Sequence, residues 1–347
     1  MEKNMWKRSI RTGIALLFAL TLILPACFST YAEETQTQVS SLLQPRETGD
    51  AYDVEVTEPD DENEGADKTK EQTGGDTSVS SNSSTRGLNT SNKEPAKLNG
   101  YNFILFGLSG QNSGDDNRSD TIMIVTIDPD RQEIKLTSIL RDTKAAIEGH
   151  EPQKINAAYK YGGAKLAVKT INQNFSLDLN EYVTVDFTTL EDVIDILGGI
   201  EIELTYDEMD FINTYAAEPV KEGLNTLNGE QALLYSRIRK IDSDKIRAGR
   251  QQKVIEEILG KLKGSNFLQW LKILFKVLES SEISMSVLDI IKVISLPLSS
   301  YQIVKNVIPD IDYDTDLTTM IDEHGEWIWV YDLEAAGNRI VDIINNQ

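Results

Sequence analysis

The chain has 347 residues, of which 40% are hydrophobic, and this length and composition allow two or three domains with buried cores. Its formal net charge of −22 disfavours binding to nucleic acids, because phosphate backbones are bound through broad basic surfaces. One cysteine, Cys27, excludes an intramolecular disulfide, and two histidines in the whole chain disfavour a zinc site or a Ser-His-Asp triad.

The first 32 residues combine a basic start with the apolar run "GIALLFALTLILPACF" at 13–28. Positive charge ahead of an apolar run keeps the N-terminus in the cytoplasm and exports the rest of the chain. We therefore predict that 1–32 is a single-pass anchor in the cell membrane, with an extracytoplasmic main body. Two alternatives place the main body in the same compartment: a lipoprotein acylated at Cys27, or secretion after cleavage of a signal peptide near Ala32.

Residues 33–97 form a polar, acidic stretch that is rich in Ser, Thr, Asn, Gly and Glu. Such a composition buries too little apolar surface to offset the entropy cost of ordering, so we predict a disordered tether. The predicted organisation is thus a membrane segment, a linker and one globular part at 98–347. The globular part comprises a core at 100–263 and a helical end at 264–347.

Strand and helix patterns alternate through the globular part. Period-two alternation and short apolar runs predict strands at 101–108, 120–128, 133–140, 182–187 and 200–204. Helical spacing of apolar residues predicts helices at 162–175, 188–199, 228–237 and 243–263. Interleaved strands and helices indicate an α/β fold in which helices cover both faces of a central sheet.

Local signals predict the ends of two of these helices. Thr188 and Glu191 have the spacing of a capping box, and Gly198 with Gly199 would end the same helix. Asn228 has the side chain of an N-cap for the helix at 228–237.

The segment 264–347 is very apolar and is predicted to be mostly helical. Its runs "NFLQWLKILFKVL" and "VLDIIKVISLPL" are too short and too often interrupted by charged residues to span a membrane. We interpret them either as ordinary core helices or as one wall of a groove for a long apolar ligand. "GEWIWVYDL" at 325–333 predicts a late strand, and 335–346 predicts a closing helix.

The stretch "YSRIRKIDSDKIRAGRQQKVI" at 235–255 concentrates basic residues in an otherwise acidic chain. It is either a solvated helix face or one side of an anion site. Guanidinium groups suit an anion site, because they bind phosphate oxygens bidentately and stay charged. The ammonium groups of Lys240, Lys245 and Lys253 are predicted to be solvated.

Five motifs follow one another along the core: "NRSDTIMI" (117–124), "SILRDT" (138–143), "KINAAYKYGG" (154–163), "VDFTTLEDVIDILGGIEI" (185–202) and "LNGEQALLYSRIRKIDSDKIRAGRQQKVI" (227–255). Together they resemble the LytR-CpsA-Psr family of Gram-positive cell-wall proteins. The N-terminal anchor, the tether and the extracytoplasmic domain also match the layout of that family.

The resemblance implies a three-layer α/β/α sandwich with a central mixed sheet and an apolar pocket for a polyprenyl chain. It implies an enzyme that transfers an anionic glycopolymer, of the teichoic-acid or capsular-polysaccharide type, from undecaprenyl-pyrophosphate to peptidoglycan with formation of a phosphodiester. The implied partners are the lipid-linked glycopolymer, the peptidoglycan acceptor and the membrane, and the implied cofactor is Mg²⁺ or Mn²⁺. Two alternatives stay open: a non-catalytic binder or regulator of polyprenyl-linked precursors, and a polyprenyl-pyrophosphate hydrolase.

The resemblance also assigns roles to residues of this sequence. The implied catalytic residues are Arg141, Asp142, Arg239 and Arg247. The implied pyrophosphate-binding residues are Arg118, Arg141, Arg237, Arg239, Arg247, Arg250 and Gln251. Asp120 is the implied metal ligand, with Asp115 or Asp116 as a further candidate.

Several of these residues admit a second interpretation. Asp142 is either the base for the acceptor hydroxyl or the partner that orients Arg141. Lys154 and Asn156 line the phosphate site, or Asn156 caps the turn that follows it. Gln251 and the adjacent Gln252 either donate to phosphate or support Arg247.

Four residues depart from the family pattern. Ser109 stands where the family has an aspartate, which removes one expected carboxylate from the metal site. Leu140 replaces a usual proline, and Lys245 with Ile246 replaces a usual Phe-Gly pair. The first departure motivates the non-catalytic alternative, because it weakens the expected metal binding.

Overall fold

The computed structural model describes residues 96–108, 118–238, 243–265, 267–296, 300–310, 316–322 and 325–346. Every described residue belongs to one unit of the chain, Leu88–Gln347. The predicted membrane segment at 1–32 and all but the last two residues of the predicted tether lie outside the described residues. Within the described ranges, no helix is both long and apolar enough to cross a membrane.

Strands and helices interleave along the described chain. The strands are β1 (Tyr101–Leu108), β2 (Ser119–Asp128), β3 (Glu133–Ile139), β4 (Lys144–Ala145), β5 (Gln153–Lys154), β6 (Tyr182–Asp186), β7 (Ile200–Leu204), β8 (Gly223–Leu227), β9 (Gln302–Ile308), β10 (Thr318–Ile321) and β11 (Trp327–Val330). The helices are α1 (Ala157–Phe175), α2 (Phe187–Ile196), α3 (Tyr206–Tyr215), α4 (Gly229–Arg237), α5 (Asp244–Gly264), α6 (Phe267–Ser280), α7 (Val287–Ser295) and α8 (Leu333–Asn346).

A five-stranded sheet with the order β6-β1-β2-β3-β9 forms the centre of the fold. β1, β2 and β3 are antiparallel neighbours, whereas β6 pairs in parallel with β1 and β9 pairs in parallel with β3. The sheet is therefore mixed. These directions bring four strand ends and the start of β2 to one side, which we call the carboxyl end of the sheet. It is formed by Leu108, Ser119, Ile139, Asp186 and Ile308.

Helices cover the two faces of this sheet. Ile104 and Phe106 of β1 are fully buried in a core cluster that α1 and α8 complete. Phe103 and Leu105 alternate with them and share a second cluster with residues of α5 and α7. Helices therefore flank the mixed sheet on both sides, which confirms the predicted α/β class.

Lys135 ties the last helix to the sheet. This β3 residue is fully buried, and its Nζ donates to the backbone oxygens of Ile343 and Ile344 at 2.9 and 3.0 Å. A positive charge at a helix C-terminus is favourable, because the last carbonyls carry partial negative charge. The buried ammonium thus stabilises the docking of α8.

A third apolar cluster lies beside the sheet and is built by α2 to α6 with the β7–β8 hairpin. Ile273 of α6 is buried in it, and Val277 packs against it. For these two residues of the first apolar run, the interpretation as ordinary core is confirmed.

The start of α2 differs from its prediction. Asp186 ends β6 and at once caps α2, with its carboxylate accepting from the Thr189 N–H at 2.7 Å. The predicted capping box of Thr188 and Glu191 is therefore wrong, because the chain passes from strand to helix without a loop. Positive φ angles of 78° at Gly198 and 87° at the next glycine follow the end of α2 as predicted.

The start of α4 agrees with its prediction, whereas the start of α1 does not. Asn228 caps α4 as predicted, and Gln231 completes a capping box with it. α1 begins at Ala157, earlier than predicted, and Gly162 with Gly163 interrupts it. Gly163 has a φ of 62°, so the regular helix that covers the sheet continues from the following residue.

The prediction that 264–347 is mostly helical is wrong for β9. The segment "QIVKNVI" at 302–308 joins the central sheet beside β3, in parallel. The sequence signal for this strand is weak, because it is only seven residues long and follows apolar helices. Its partner strand, β3, lies far earlier in the chain. The late strand predicted at 325–333 is confirmed as β11, and the closing helix is confirmed as α8.

Candidate anion-binding site at the carboxyl end of the sheet

The pairing of β2 with β3 brings Asp120 and Arg141 together. The ladder ends with Met123 opposite Ser138, and Asp120 and Arg141 each lie three residues further toward the carboxyl end of the sheet. Arg141 Nη1 donates to Asp120 Oδ1 in a partly buried ion pair. The sheet itself therefore fixes a guanidinium group where α/β proteins commonly bind their ligands.

Asp142 holds the same guanidinium group from the other side. Arg141 Nε lies 3.4 Å from Asp142 Oδ2, and Lys154 Nζ lies 3.0 Å from Asp142 Oδ1. Burial raises the pKa of Asp142, but the charges of Arg141, Lys154 and Arg247 outweigh burial and hold the pKa below its ordinary value. Such a carboxylate stays ionised and is a weak base, which favours its role as the partner that orients Arg141.

Arg141 is correspondingly held in its charged form. Burial lowers the pKa of Arg141, but the negative charges of Asp120, Asp142 and Asp244 outweigh burial and raise the pKa. Its side chain is 17% exposed, so it keeps access to solvent and to a ligand. A guanidinium group has five N–H donors, and two carboxylates do not exhaust them.

The first turn of α5 contributes a second arginine. Arg247 Nη2 lies 2.7 Å from Asp244 Oδ1, and both residues are charge partners of the Arg141–Asp142 pair. Both residues lie in the first turn of α5, where the helix N-terminus carries partial positive charge. Two predicted pyrophosphate contacts, Arg141 and Arg247, are thus brought together.

Lys245 in the same turn is less solvated than predicted. Its Nζ lies 3.2 Å from Asp310 Oδ1, and Arg339 Nη2 of α8 lies 2.8 Å from Asp310 Oδ2. Asp310 follows the carboxyl end of β9. The network therefore fixes the start of α5 against both the sheet and α8.

Glu326 brings a third segment to the site. Its Oε2 lies 3.0 Å from Lys154 Nζ and 3.7 Å from Arg118 Nη1. Glu326 lies between β10 and β11, and this hairpin is anchored by Trp329, whose backbone N–H donates to the Asp142 carbonyl oxygen at 2.9 Å. Sequence reasoning missed Glu326, and its distance along the chain from its partners offers no local signal for it.

Asn156 lies between these segments without capping a helix. It occupies the N-cap position of α1 but makes no capping bond with its side chain, so the capping interpretation is wrong. Its backbone N–H donates to the Arg141 carbonyl oxygen at 3.3 Å. Lys154, two residues before Asn156, reaches the site, as predicted for a residue that lines it.

Arg250 is placed in the interior. Its Nε lies 2.8 Å from Glu208 Oε1, its side chain is 4% exposed, and its guanidinium lies 5.9 Å from the centroid of the Tyr235 ring. This geometry joins α5 to α3 and favours a structural role.

Arg237 stacks over the ring of Phe187 at 4.6 Å. Because Phe187 directly follows β6, Arg237 flanks the carboxyl end of the sheet on the β6 side, away from β3. Its guanidinium therefore borders the same end of the sheet as Arg141, but from the opposite flank.

The two glutamines of α5 differ in position. Gln252 is buried and donates to the Leu136 and Asn306 carbonyl oxygens at 3.2 and 2.7 Å and to Ser138 Oγ at 2.9 Å. It therefore joins α5 to β3 and β9. Gln251 is half-buried on the same helix.

Three predicted site residues, Arg239, Asp115 and Asp116, lie outside the described residues. Among the residues that are described, no group of three or more His, Cys, Asp or Glu side chains could hold a metal ion. Of the predicted metal ligands, the structure describes Asp120, which lies beside Arg141.

One sheet face next to the site is incompletely covered. Phe103 and Leu105 of β1 and Val183 and Val185 of β6 remain half-buried, although β1 is an interior strand. The opposite face of β1 is fully buried at Ile104. An apolar surface therefore leads along β1 and β6 toward the carboxyl end.

The family model described as the LytR_cpsA_psr family matches residues 60–336 of this sequence. The chain belongs to the LytR-CpsA-Psr family. The match includes the segments that carry Asp120, Arg141, Lys154, Arg247 and Glu326.

Two relatives show the degree of similarity within the family. The chain is 34% identical over 184 residues to the polyisoprenyl-teichoic acid–peptidoglycan teichoic acid transferase TagV of Bacillus subtilis strain 168, over 51% of this chain and 47% of TagV. It is 36% identical over 186 residues to the TagU transferase of the same description from Enterococcus faecalis, over 52% of this chain and 57% of TagU. The chain thus spans about half the length of the curated relatives it matches.

The fold is also shared with solved structures. The crystal structure of B. subtilis TagT matches with a TM-score of 0.57 at 25% identity, over 71% of this chain and 91% of that one. The LytR-CpsA-Psr domain of this chain therefore has the mixed sheet flanked by helices that its sequence predicted.

Proposed function

We propose that this chain transfers a teichoic-acid-type glycopolymer from a polyprenyl-pyrophosphate carrier to peptidoglycan. The observation that carries the proposal is the buried cluster at the carboxyl end of the sheet, in which Arg141 is held by Asp120 and Asp142 with Arg247 beside it. The names of TagV and TagU, as transferases of polyisoprenyl-linked teichoic acid to peptidoglycan, support the same substrates for this chain.

The arginine pair suits the charge of a pyrophosphate. Arg141 is fixed by two carboxylates before any ligand arrives, so its remaining donors need little reorganisation to meet phosphate oxygens. Arg247 supplies a second guanidinium group from α5. Since phosphoryl transfer is catalysed mainly by positioning and by stabilisation of phosphate charge, this arrangement supports a catalytic role.

The proposed reaction exchanges one phosphate ester for another. A hydroxyl oxygen of peptidoglycan attacks the phosphorus that carries the glycopolymer and forms a new P–O bond. The bond from that phosphorus to the bridging oxygen breaks, and polyprenyl monophosphate leaves with the bonding electron pair. Because the pKa of Asp142 is held low, we assign the acceptor proton to an oxygen of the leaving phosphate rather than to Asp142.

Magnesium or manganese is part of the proposal through Asp120. Mg²⁺ usually takes one or two protein carboxylates together with phosphate oxygens and water, and one carboxylate beside a phosphate-binding arginine fits that donor set. When bound, the ion would neutralise negative charge on the pyrophosphate. In equilibrium dialysis with inorganic pyrophosphate, Asp120→Asn should retain less Mg²⁺ or Mn²⁺ than the wild type. Equal retention by both proteins would show that Asp120 is not a metal ligand.

The half-buried face of β1 and β6 supports an apolar binding surface for the polyprenyl chain. Leu105 and Val183 are neighbours across these two parallel strands, and both keep partial exposure. Removing such surface from water contributes about 25 cal/mol per Å². A long hydrocarbon on this face would therefore bind strongly while its pyrophosphate reaches the arginines.

Anchoring by residues 1–32 remains part of the proposal. The basic start and apolar run support a cell-membrane protein with an extracytoplasmic domain, where a lipid-linked donor and peptidoglycan meet. Protease treatment of intact cells that express the full chain should degrade the domain and leave a membrane-bound N-terminal fragment. A fully protected domain would contradict this topology.

The test of function is donor consumption by the purified full chain. A polyprenyl-pyrophosphate-linked disaccharide, peptidoglycan and Mg²⁺ should yield the phosphodiester product and polyprenyl monophosphate. Arg141→Ala should lower kcat/KM about 1,000-fold, within the range for one lost transition-state donor. The matched control is Lys292→Ala, which removes a cation from an exposed surface pair.

Other outcomes would replace the proposal with its alternatives. Tight donor binding without product would indicate a binder of lipid-linked precursors. Release of free phosphorylated disaccharide in the absence of peptidoglycan would indicate a hydrolase.

A further inference from the structure

An exposed tryptophan stands next to the anion site. Trp327 begins β11 and is 40% exposed. The preceding residue, Glu326, lies 3.0 Å from Lys154 and contacts Arg118. A large apolar ring is thus one residue away from the charged groups of the site.

The ring of Trp327 is held rigidly. It makes a T-shaped contact with the ring of Trp329, with 4.4 Å between centroids and 73° between planes. Trp329 is buried in the main core cluster, and its backbone N–H donates to the Asp142 carbonyl oxygen. The position of Trp327 is therefore coupled to the backbone next to Arg141.

The face of the hairpin extends this apolar surface. Ile321 of β10 is the antiparallel partner of Trp327 and is 62% exposed. Directly opposed residues of a hairpin project to the same face. Trp327 and Ile321 therefore form one exposed apolar platform, and Glu326 directly precedes Trp327 in the chain.

We propose that this platform, formed by Trp327 and Ile321, binds a sugar ring of the glycan that takes part in the transfer. A pyranose has a face of polarised C–H groups, which is attracted to the negative face of an indole. It also has a rim of hydroxyl groups, which can donate hydrogen bonds to the Glu326 carboxylate. The inference rests on the proposed function for the identity of the glycan, but not for the chemistry of the platform.

A membrane surface is the rival occupant of this platform. The observations favour a saccharide, because Glu326 adds a carboxylate and the chain carries a net charge of −22. Both repel the anionic headgroups of a membrane. The platform is also connected to the anion site, because Trp327 directly follows Glu326, which contacts Lys154.

The sugar has two sources, which direct binding separates. One probe is a peptidoglycan-derived disaccharide peptide, and the other is a short-chain polyprenyl-pyrophosphate-linked disaccharide; a polyprenyl pyrophosphate without sugar serves as reference. Trp327→Ala in the full chain should weaken binding of one disaccharide about tenfold, while the reference binds as in the wild type. Trp327→Phe should retain most of the affinity. Loss with the first probe assigns the acceptor, and loss with the second assigns the donor.

Two controls keep this test separate from the test of function. Met320→Ala removes an exposed apolar side chain that is next to Ile321 in β10 but lies opposite Ile328 rather than Trp327. This variant should bind both disaccharides with wild-type affinity. If disaccharide binding depends on Trp327, the inference is supported even when the wild type transfers no glycopolymer. Equal binding of both disaccharides by wild type and Trp327→Ala would overturn the inference. So would a loss of binding to anionic lipid vesicles in Trp327→Ala with unchanged disaccharide affinity.

Discussion

Lys245 and Asp310 form an ion pair, with 3.2 Å between Nζ and Oδ1, that joins the first turn of α5 to the chain after β9. Arg339 holds the other carboxylate oxygen of Asp310 at 2.8 Å. The same turn of α5 carries Arg247, two residues beyond Lys245. The position of a proposed pyrophosphate contact therefore depends on a carboxylate that need not touch the substrate.

The first prediction concerns this link. Asp310→Asn should lower the free energy of unfolding by about 1 kcal/mol, because both cations keep partial exposure. It should lower kcat about tenfold through misplacement of Arg247, since small misplacements are costly in catalysis. Urea denaturation and steady-state kinetics check the two effects. Asp289→Asn, in an exposed pair with Lys292, is the matched control, and equal kinetics in both variants would remove Asp310 from the positioning of the site.

The second prediction separates guanidinium geometry from charge. Arg141 contacts Asp120 through Nη1 and Asp142 through Nε, and one ammonium group cannot reach both while it also donates to phosphate. Arg141→Lys should therefore lower kcat/KM about 100-fold despite its retained charge. Titration with inorganic pyrophosphate measures the accompanying loss of affinity. A lysine variant with wild-type kinetics would show that charge alone suffices.

Much of the site was predicted by motifs that resemble those of a known family. Asp120 stands in one recognisable strand and Arg141 just after the end of another, and their proximity follows once the register of β2 and β3 is known. Arg247 was likewise identified within its motif. These residues belong to segments whose periodicity and composition are visible within about a dozen positions.

The remaining parts depend on contacts between distant segments. Asp310 follows β9, whose partner strand β3 lies far earlier in the chain. Glu326 precedes β11, which reaches the site through the contact of Trp329 with the distant Asp142 backbone. Arg250 resembles Arg247 by composition, yet its side chain pairs with Glu208 of α3. Tertiary packing, rather than local pattern, thus decides which of two similar arginines faces the site.

The third prediction tests the structural role of Arg250. Its removal would leave the Glu208 carboxylate buried beside Tyr235 without this partner, so Arg250→Met should lower the free energy of unfolding by about 3 kcal/mol. Pyrophosphate affinity of the folded protein should stay within about twofold of the wild type, because no new charge enters the site. Calorimetric unfolding and titration below the transition check both statements. The double variant Arg250→Met with Glu208→Gln should recover part of the stability, and a specific loss of pyrophosphate affinity in either variant would contradict the assignment.

The fourth prediction concerns the half-buried face of the sheet. Val183→Trp should fill the space beside Leu105 and weaken binding of a polyprenyl phosphate about tenfold or more. Binding of inorganic pyrophosphate should be unchanged, because the arginines lie at the end of the strands. The matched control is Val304→Trp. Val304 is also half-buried in this sheet, but it pairs with Lys135 and faces the opposite side. Equal lipid affinity in both variants would place the polyprenyl chain elsewhere.

The fifth prediction is the pH dependence of the Asp142 contacts. Because the pKa of Asp142 is lower in the folded than in the unfolded chain, its ionisation contributes stability above the unfolded pKa, which is about 3.9 for aspartate. That contribution is lost as pH falls through the lower pKa of the folded state. Asp142→Asn should therefore be less stable than wild type by about 2 kcal/mol between pH 5 and 8, and the difference should shrink below about pH 4. Chemical denaturation at closely spaced pH values measures this difference, with Asp178→Asn as an exposed aspartate control. A difference that persists unchanged at the acid end would show that the Asp142 contacts to Arg141 and Lys154 do not depend on its negative charge.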